Sequence, residues 1–402
     1  MPPESQIPIA ARNASRRFAG SLGLFYGTSF GLLGTHLPFF PVWLKAVGIE
    51  ASWIGVIIAV PAVTRFTVLP FVTAFAERRH ALRGALILAA FVTLLGFSLV
   101  GSQHQAVPVL LLYALTCCLW TPMVPLTDAY ALRGVARYGL NYGRLRLWGS
   151  AAFVVGALAC GLLVDVIAAS QLIWVIVALA LLGAAASLSL QPLDRPAKAV
   201  GHVHGGSALL RDPRFLAIIV AAALIQGSHA AYYTFASINW QAHGLDGLTI
   251  AGLWALGVCA EIVVFALSAR LTWPPAILVV IGALSAVARW SITAQEPAVP
   301  VLAVVQLAHG LTFGLTQVGT MGLLVRHVPA HVMARAQGYL AACSGIVNSS
   351  AAILSGAIYA RYGQGVYYVM AVMAGSGAML MWLVRQRLKG MMDHPHNSVS
   401  GG

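Results

Sequence analysis

Thr249–Arg270 reads TIAGLWALGVCAEIVVFALSAR, and this stretch decides the fold. Between its ends it is apolar except for Glu261, near the middle. At about 1.5 Å per residue, a helix of this length crosses a hydrocarbon core of about 30 Å. A mid-helix carboxylate costs roughly 2.5–3.5 kcal/mol on insertion scales. The chain carries that cost only where Glu261 faces protein or water. The partners expected for it are Arg289 and His309, each buried in one of the next two apolar segments.

The rest of the chain is of the same kind. Its 402 residues are 59% hydrophobic and 9% charged, with a mean hydropathy of +0.83. Soluble domains carry about 25% charged residues. The expected class is an all-α membrane protein with twelve spans, near 18–43, 53–75, 84–101, 107–131, 146–167, 171–190, 214–238, 249–270, 276–294, 300–325, 337–360 and 366–385. The charged, glycine- and histidine-bearing stretch 191–213 reads as a cytoplasmic linker. It separates a six-helix bundle at 18–190 from a second at 214–385, with tails at 1–17 and 386–402.

Net charge +13 raises nucleic acid as a partner, but the charge is loop charge. With the N-terminus in the cytoplasm, most of the 24 Lys and Arg residues fall on that side, and only Lys45 and Arg361 on the other. The positive-inside rule then places both termini in the cytoplasm of a cell inner membrane. Residues 1–17 lack a signal-peptide pattern. The five cysteines all lie in apolar spans without ligand spacing, so neither a disulfide framework nor a metal site is expected. No cofactor is expected either, and a monomer is the default.

Polar residues inside the spans recur at helical spacing: Tyr26, Ser29 and His36; Gln226, His229 and Tyr233; Gln306, His309, Thr316 and Thr320; Gln337, Ser344 and Asn348. Such stripes mark either helix contacts or the lining of a water-filled cavity. Four of them, together with buried charges, favour a cavity. Pro38, Pro41, Pro61, Pro70, Pro122 and Pro125 interrupt spans 1, 2 and 4 and permit bends. The ionisable set inside the spans is Arg65, Asp128, Arg146, Glu261 and Arg289, with His36, His229 and His309. For Arg65 the plain alternative is a hydrogen bond to backbone carbonyls, and for Glu261 a fixed ion pair with Arg289. No Walker loop, GxSxG, HExxH or Ser-His-Asp arrangement is present, so enzyme chemistry is not expected. What remains is the handling of protons and a solute: an acid whose contact with arginine changes can exchange a proton in step with a passenger.

Several motifs carry a resemblance. Pro38–Leu44, PFFPVWL, and Tyr142–Gly149, YGRLRLWG, resemble runs of lactose permease-like members of the major facilitator superfamily. Asp128 stands 18 residues before Arg146, as an acid does there. Glu261, Arg289 and His309 fall where that group keeps its Glu, Arg and His. PLTDAYAL, QGSHAAYY and LWALGVCAEIVVFALS, with YGRLRLWGSAAFVVG, look like the phenylpropionate-permease branch over about residues 20–385. Two departures stand out. The glutamate that the group places three residues after its helix-10 histidine is here Thr312, and its loop 2–3 signature is reduced to Glu77, Arg78, Arg79 and His80 with Arg83.

The resemblance implies two bundles that rock around a central site, giving alternating access. The expected function is proton-coupled symport of a small organic solute, an aromatic carboxylate in the first instance and a sugar or nucleoside in the second. Asp128, Arg146, Tyr26, His36, Gln226, His229, Tyr233, Trp254 and Gln306 are the expected substrate-binding residues. Glu261, Arg289, His309 and Asp128 are expected to handle protons, and Arg65, Glu77 and Arg78 to act in gating.

Overall fold

A computed structural model describes residues 9–79, 81–140, 142–193, 206–329 and 332–389. Residues 194–205 of the expected linker and the tail from residue 390 lie outside the described residues, as does His80. The chain packs as two compact units: Met1–Val200 with Tyr233–Ala255, and Gly201–Tyr232 with Leu256–Gly402. No β-strand occurs among the described residues.

The first unit is built on α1 (Ile9–Ala46), α2 (Ala51–Thr67), α3 (Leu69–Arg78), α4 (Leu82–Gly101), α5 (Ala106–Tyr138), α6 (Tyr142–Val164) and α7 (Leu172–Leu188). The helices α1 and α5 run through their paired prolines. Between α2 and α3 the axis bends by 48°. Pro70, second residue of α3, cannot donate back into the preceding turn, and the ladder breaks there. Gly139, at φ 64° in the left-handed region, ends α5.

The remaining helices are α8 (Pro213–Gly227), α9 (Ala230–Ala242), α10 (Gly247–Leu267), α11 (Pro275–Thr293), α12 (Val299–Leu307), α13 (Thr316–His327), α14 (Met333–Tyr362) and α15 (Val366–Lys389). Asp212 caps α8 by accepting the Arg214 N–H at 2.9 Å, with Pro213 at the first helical position. The second unit's core draws Phe215, Ile218 and Ile225 of α8 against Val279 and Ala283 of α11, Leu324 of α13 and Met381 of α15.

Each of the twelve expected intervals is occupied by helix. By length and apolarity, eight helices among the described residues qualify to cross a membrane, or nine with the bent α2–α3 pair. The difference from twelve has physical sources. Glycines, hydroxyls, His36 and two prolines dilute the hydropathy of α1. Of α6, the stretch Trp148–Val164 is apolar but short of the length that counts as a span. Helices α14 and α15, of 30 and 24 residues, are parted only by the 3₁₀ turn Gly363–Gly365, where Gly363 has φ 50°, and together count as one of the eight although each is long enough to cross.

The start of α10 belongs to the first unit and is tied to α6. Both carboxylate oxygens of Asp165 accept the Gly247 N–H, at 2.9 and 3.0 Å, and Asp246 accepts that of Thr249 at 2.7 Å. Gly161 and Gly247 face each other so closely that a Cβ on either would strike the other's carbonyl oxygen. Gly161→Val is expected to lower the thermal unfolding midpoint of the purified protein, at a cost of about 1–3 kcal/mol for overpacking. An unchanged midpoint in a fluorimetric melt would show that α6 and α10 do not approach this closely.

Candidate functional site

The second unit holds a polar network around one cation. Arg289 of α11 is 2% exposed, although it sits in a membrane-spanning helix. Its Nη1 donates to His309 Nδ1 at 2.8 Å and to Thr312 Oγ1 at 3.2 Å, and its Nη2 to Gln306 Oε1 at 2.9 Å. The guanidinium carbon also lies 4.7 Å from the Tyr232 ring centroid and 4.6 Å from that of Trp290. Uncharged acceptors and ring faces thus surround the charge, within the distances at which such contacts attract.

This arrangement fixes a tautomer. An arginine can only donate, so His309 Nδ1 accepts and the neutral ring carries its proton on Nε2. That nitrogen lies 3.7 Å from Glu261 Oε2. Among the described residues, Glu261 thus faces the neutral His309 ring, and the expected pairing with Arg289 is not direct: the imidazole stands between the two. Glu261 is 23% exposed, so protein does not close it off completely.

Local backbone explains the approach. Residues Gly310–Leu315 form a π-helical turn between α12 and α13, a feature that inserts where a helix face has been re-aimed. A Cβ on Gly310 would lie 2.6 Å from the Ala260 carbonyl oxygen, so only glycine lets the two helices meet here. The residues beside this contact in sequence are His309 and Glu261. Thr312, within the π turn, accepts from Arg289 and sits 3.0 Å from His229 Nε2. The Nδ1 of His229 faces the Ile225 and Gln226 carbonyls at 3.2 Å and donates there, so its Nε2 accepts from the Thr312 hydroxyl.

In the first unit, the Tyr26 hydroxyl donates to Asp128 Oδ1 at 2.6 Å. The side chains of Arg146, Glu77 and Arg78 lie outside the described residues. His36, expected to line a cavity, is instead 5% exposed and packed among Phe40, Phe97, Tyr113 and Trp120, with the Tyr113 hydroxyl 3.0 Å from its Nε2. The Tyr233 ring stacks on Trp254, centroids 6.0 Å apart, and Trp254 Nε1 donates to Ser237 Oγ at 2.9 Å. Arg65 is exposed, and the backbone-carbonyl bond considered for it is not made among the described residues.

Of the four polar stripes, the one at Gln306, His309, Thr316 and Thr320 is buried and serves helix contact. That at Gln337, Ser344 and Asn348 stays accessible. Gln226 is half-buried, its Oε1 unmatched among the described residues. Sequence reasoning did not find Tyr232 as a ring face for Arg289 or Thr312 as a bridge to His229. Both depend on the π turn and on helix rotation, for which the sequence carries no periodic signal. A groove of about 820 Å³ between α1, α6 and α7 has largely apolar walls, among them Gly27, Trp148 and Leu179, and holds none of the candidate residues.

Long apolar helices enclosing a cation, an acid and imidazoles define a multi-pass helical membrane protein, and the relatives below make it a transporter of the major facilitator type. The chain belongs to the MFS_1-like family, whose profile matches residues 20–370. It is 34% identical over 368 residues to a probable 3-phenylpropionic acid transporter of Escherichia coli K12, covering 88% of this chain and 94% of that one. It is 28% identical to the maltose permease of Geobacillus stearothermophilus, over 90% of this chain and 94% of the relative. The fold is similar to the crystal structure of the nucleoside transporter NupG, with a TM-score of 0.78 at 14% identity, covering 94% of this chain and 100% of that one.

Arg289→Lys keeps the charge but cannot serve three acceptors from one plane. It is expected to lower the unfolding midpoint in detergent, by about 1–3 kcal/mol for a buried charged hydrogen-bond set left incomplete. A lysine variant as stable as the parent would show that the fork geometry is not needed.

Proposed function

We propose that the protein is a proton-coupled symporter for a small aromatic carboxylate, working by alternating access in the inner membrane with both termini in the cytoplasm. The observation that carries the coupling half is the placement of Glu261. It is an acid inside a span, only partly covered by protein, 3.7 Å from an imidazole Nε2 whose proton faces it. The contact is too long for a hydrogen bond and is not locked. A modest helix rotation changes it, and with it the acid's hold on a proton. Arg289 has the complementary role of fixing the His309 ring.

The substrate half draws on the relative named for 3-phenylpropionic acid and on the first unit's residues. An arginine would meet the carboxylate with charge-assisted hydrogen bonds, and the Tyr233–Trp254 pair offers a face for the ring. Asp128, held by Tyr26, stays with Arg146 as a candidate pair. His36 is left to packing. A sugar or nucleoside symporter on the same fold is the second reading, favoured by the maltose permease relative. A panel of carboxylates, sugars and nucleosides, scored by thermal stabilisation of the purified protein, separates the two: only the first class is expected to stabilise it.

Glu261→Gln is expected to abolish accumulation driven by a pH gradient in proteoliposomes while leaving substrate exchange between preloaded vesicles intact. Accumulation at the parent level would make Glu261 structural. Arg146→Ala is expected to abolish uptake; normal uptake at normal expression counts against that arginine as part of the site.

A further inference from the structure

We infer that the groove between α1, α6 and α7 is a binding site for one anionic phospholipid, with an acyl chain lying in the groove and the phosphate meeting Arg12 and Arg16 at its end. The inference is independent of the substrate proposed above. Packing makes the groove. Helices α6 and α7 both lean on α1 but scarcely meet each other, so α1 is the floor of a cleft of about 820 Å³. Gly20, Gly23, Gly27 and Gly31 give that floor one shared face. A Cβ on Gly20 or Gly27 would meet nothing within 4 Å, so the space over them is open. The opposite side of α1 is taken: Phe18 packs on Tyr130 and Tyr26 bonds Asp128, both on α5. The cleft thus opens away from the unit's interior, and the exposed side chains of Leu24, Val155 and Leu182 stand along it.

The walls select the occupant. The hydroxyls in the cleft are spent on backbone: Thr28 donates to the Leu24 and Phe25 carbonyls, at 3.2 and 3.1 Å, and Thr35 to that of Gly156 at 3.2 Å. The Cys160 thiol and the Trp148 N–H are too little to hold a column of water, so hydrocarbon is the matching filler. From Gly20 to Thr35 the floor is about 22 Å long, more than the roughly 15 Å of one leaflet's hydrocarbon. Charge then sets the headgroup. Arg16 stands four residues before Gly20 and Arg12 four before that, on the face that forms the floor, and both are exposed. No acid stands in the first turn of α1 or of α6. Two guanidiniums just outside a hydrocarbon slot complement a phosphodiester. Trp148, exposed beside Gly23, lies towards that same end, where indoles favour the interface. A second copy of the chain fits worse, because a two-fold pair would set cleft against cleft and arginine against arginine.

The test is native mass spectrometry of the full-length protein in neutral detergent, offered equal amounts of phosphatidylglycerol and phosphatidylcholine with the same acyl chains. The parent is expected to retain one phosphatidylglycerol and to prefer it about 25-fold, roughly fivefold for each arginine near the surface. Replacing both arginines, Arg12→Gln with Arg16→Gln, is expected to erase the preference. Gly27→Leu, which enters open space and puts a better helix former in place of glycine, is expected to displace the lipid at an unchanged thermal unfolding midpoint. Gly20→Leu, also entering open space, carries the same arm should Gly27→Leu not fold. A parent that retains both lipids equally, or neither, overturns the inference. Phosphatidylglycerol held as well by the leucine variant as by the parent places the lipid elsewhere and overturns it too. So does a dimer of the parent that Gly27→Leu dissolves, which would make the cleft a contact between copies.

Discussion

A guanidinium sunk at Arg289 has to be satisfied by protein, because no water or lipid group reaches it at 2% exposure. Much of the second unit's irregularity serves that requirement. The π turn after α12 swings Thr312 towards the cation while Gln306 and His309 approach from the preceding turn. Tyr232 and Trp290 cover the guanidinium faces. Gly310 lets α10 come close enough for Glu261 to meet the far side of the same imidazole. Regular helices would have left at least one of these groups pointing away.

Arg65 meets the same constraint in the opposite way. It too stands inside a span, but its side chain is exposed, and no acid pairs with it among the described residues. Burial, more than residue type, separates the two arginines, and burial is what a sequence does not state.

Hydropathy made the helices legible, since every expected interval is helical, and where α1 falls short of a plain apolar span it does so through residues visible in the sequence, its glycines among them. Proline foretold the bend at Pro70 but not the break after α8. That break follows Ser228, whose hydroxyl donates to the Ile225 carbonyl at 2.6 Å and accepts from Trp290 Nε1 at 3.0 Å. It is set by a partner 62 residues away in sequence, beyond the reach of local pattern. Helical spacing grouped the polar residues correctly into faces, yet could not say which faces look at water. His36 and the Gln306–Thr320 stripe turned out to be packed, because a polar face is equally at home against another helix that offers it partners.

The threonine at 312 bears on where a proton could be carried. A glutamate there would stand at hydrogen-bond distance from Arg289 Nη1 and would form a buried ion pair with it. With Thr312 the arginine is matched by neutral groups, and the hydroxyl is free to donate onward to His229. Of the groups left in the network that can titrate, His229 is fully buried with both ring nitrogens engaged. His309 is 5% exposed and has Nδ1 taken by the arginine. A proton arriving at either would have to displace a hydrogen bond and enter without solvent. Glu261 is less enclosed: it is 23% exposed, and its contact with His309 is long enough to be remade. With a threonine at 312, the proposed coupling falls to Glu261, the one acidic member of this network among the described residues, and a proton-carrying role there would account for a mid-helix carboxylate despite the cost of inserting it.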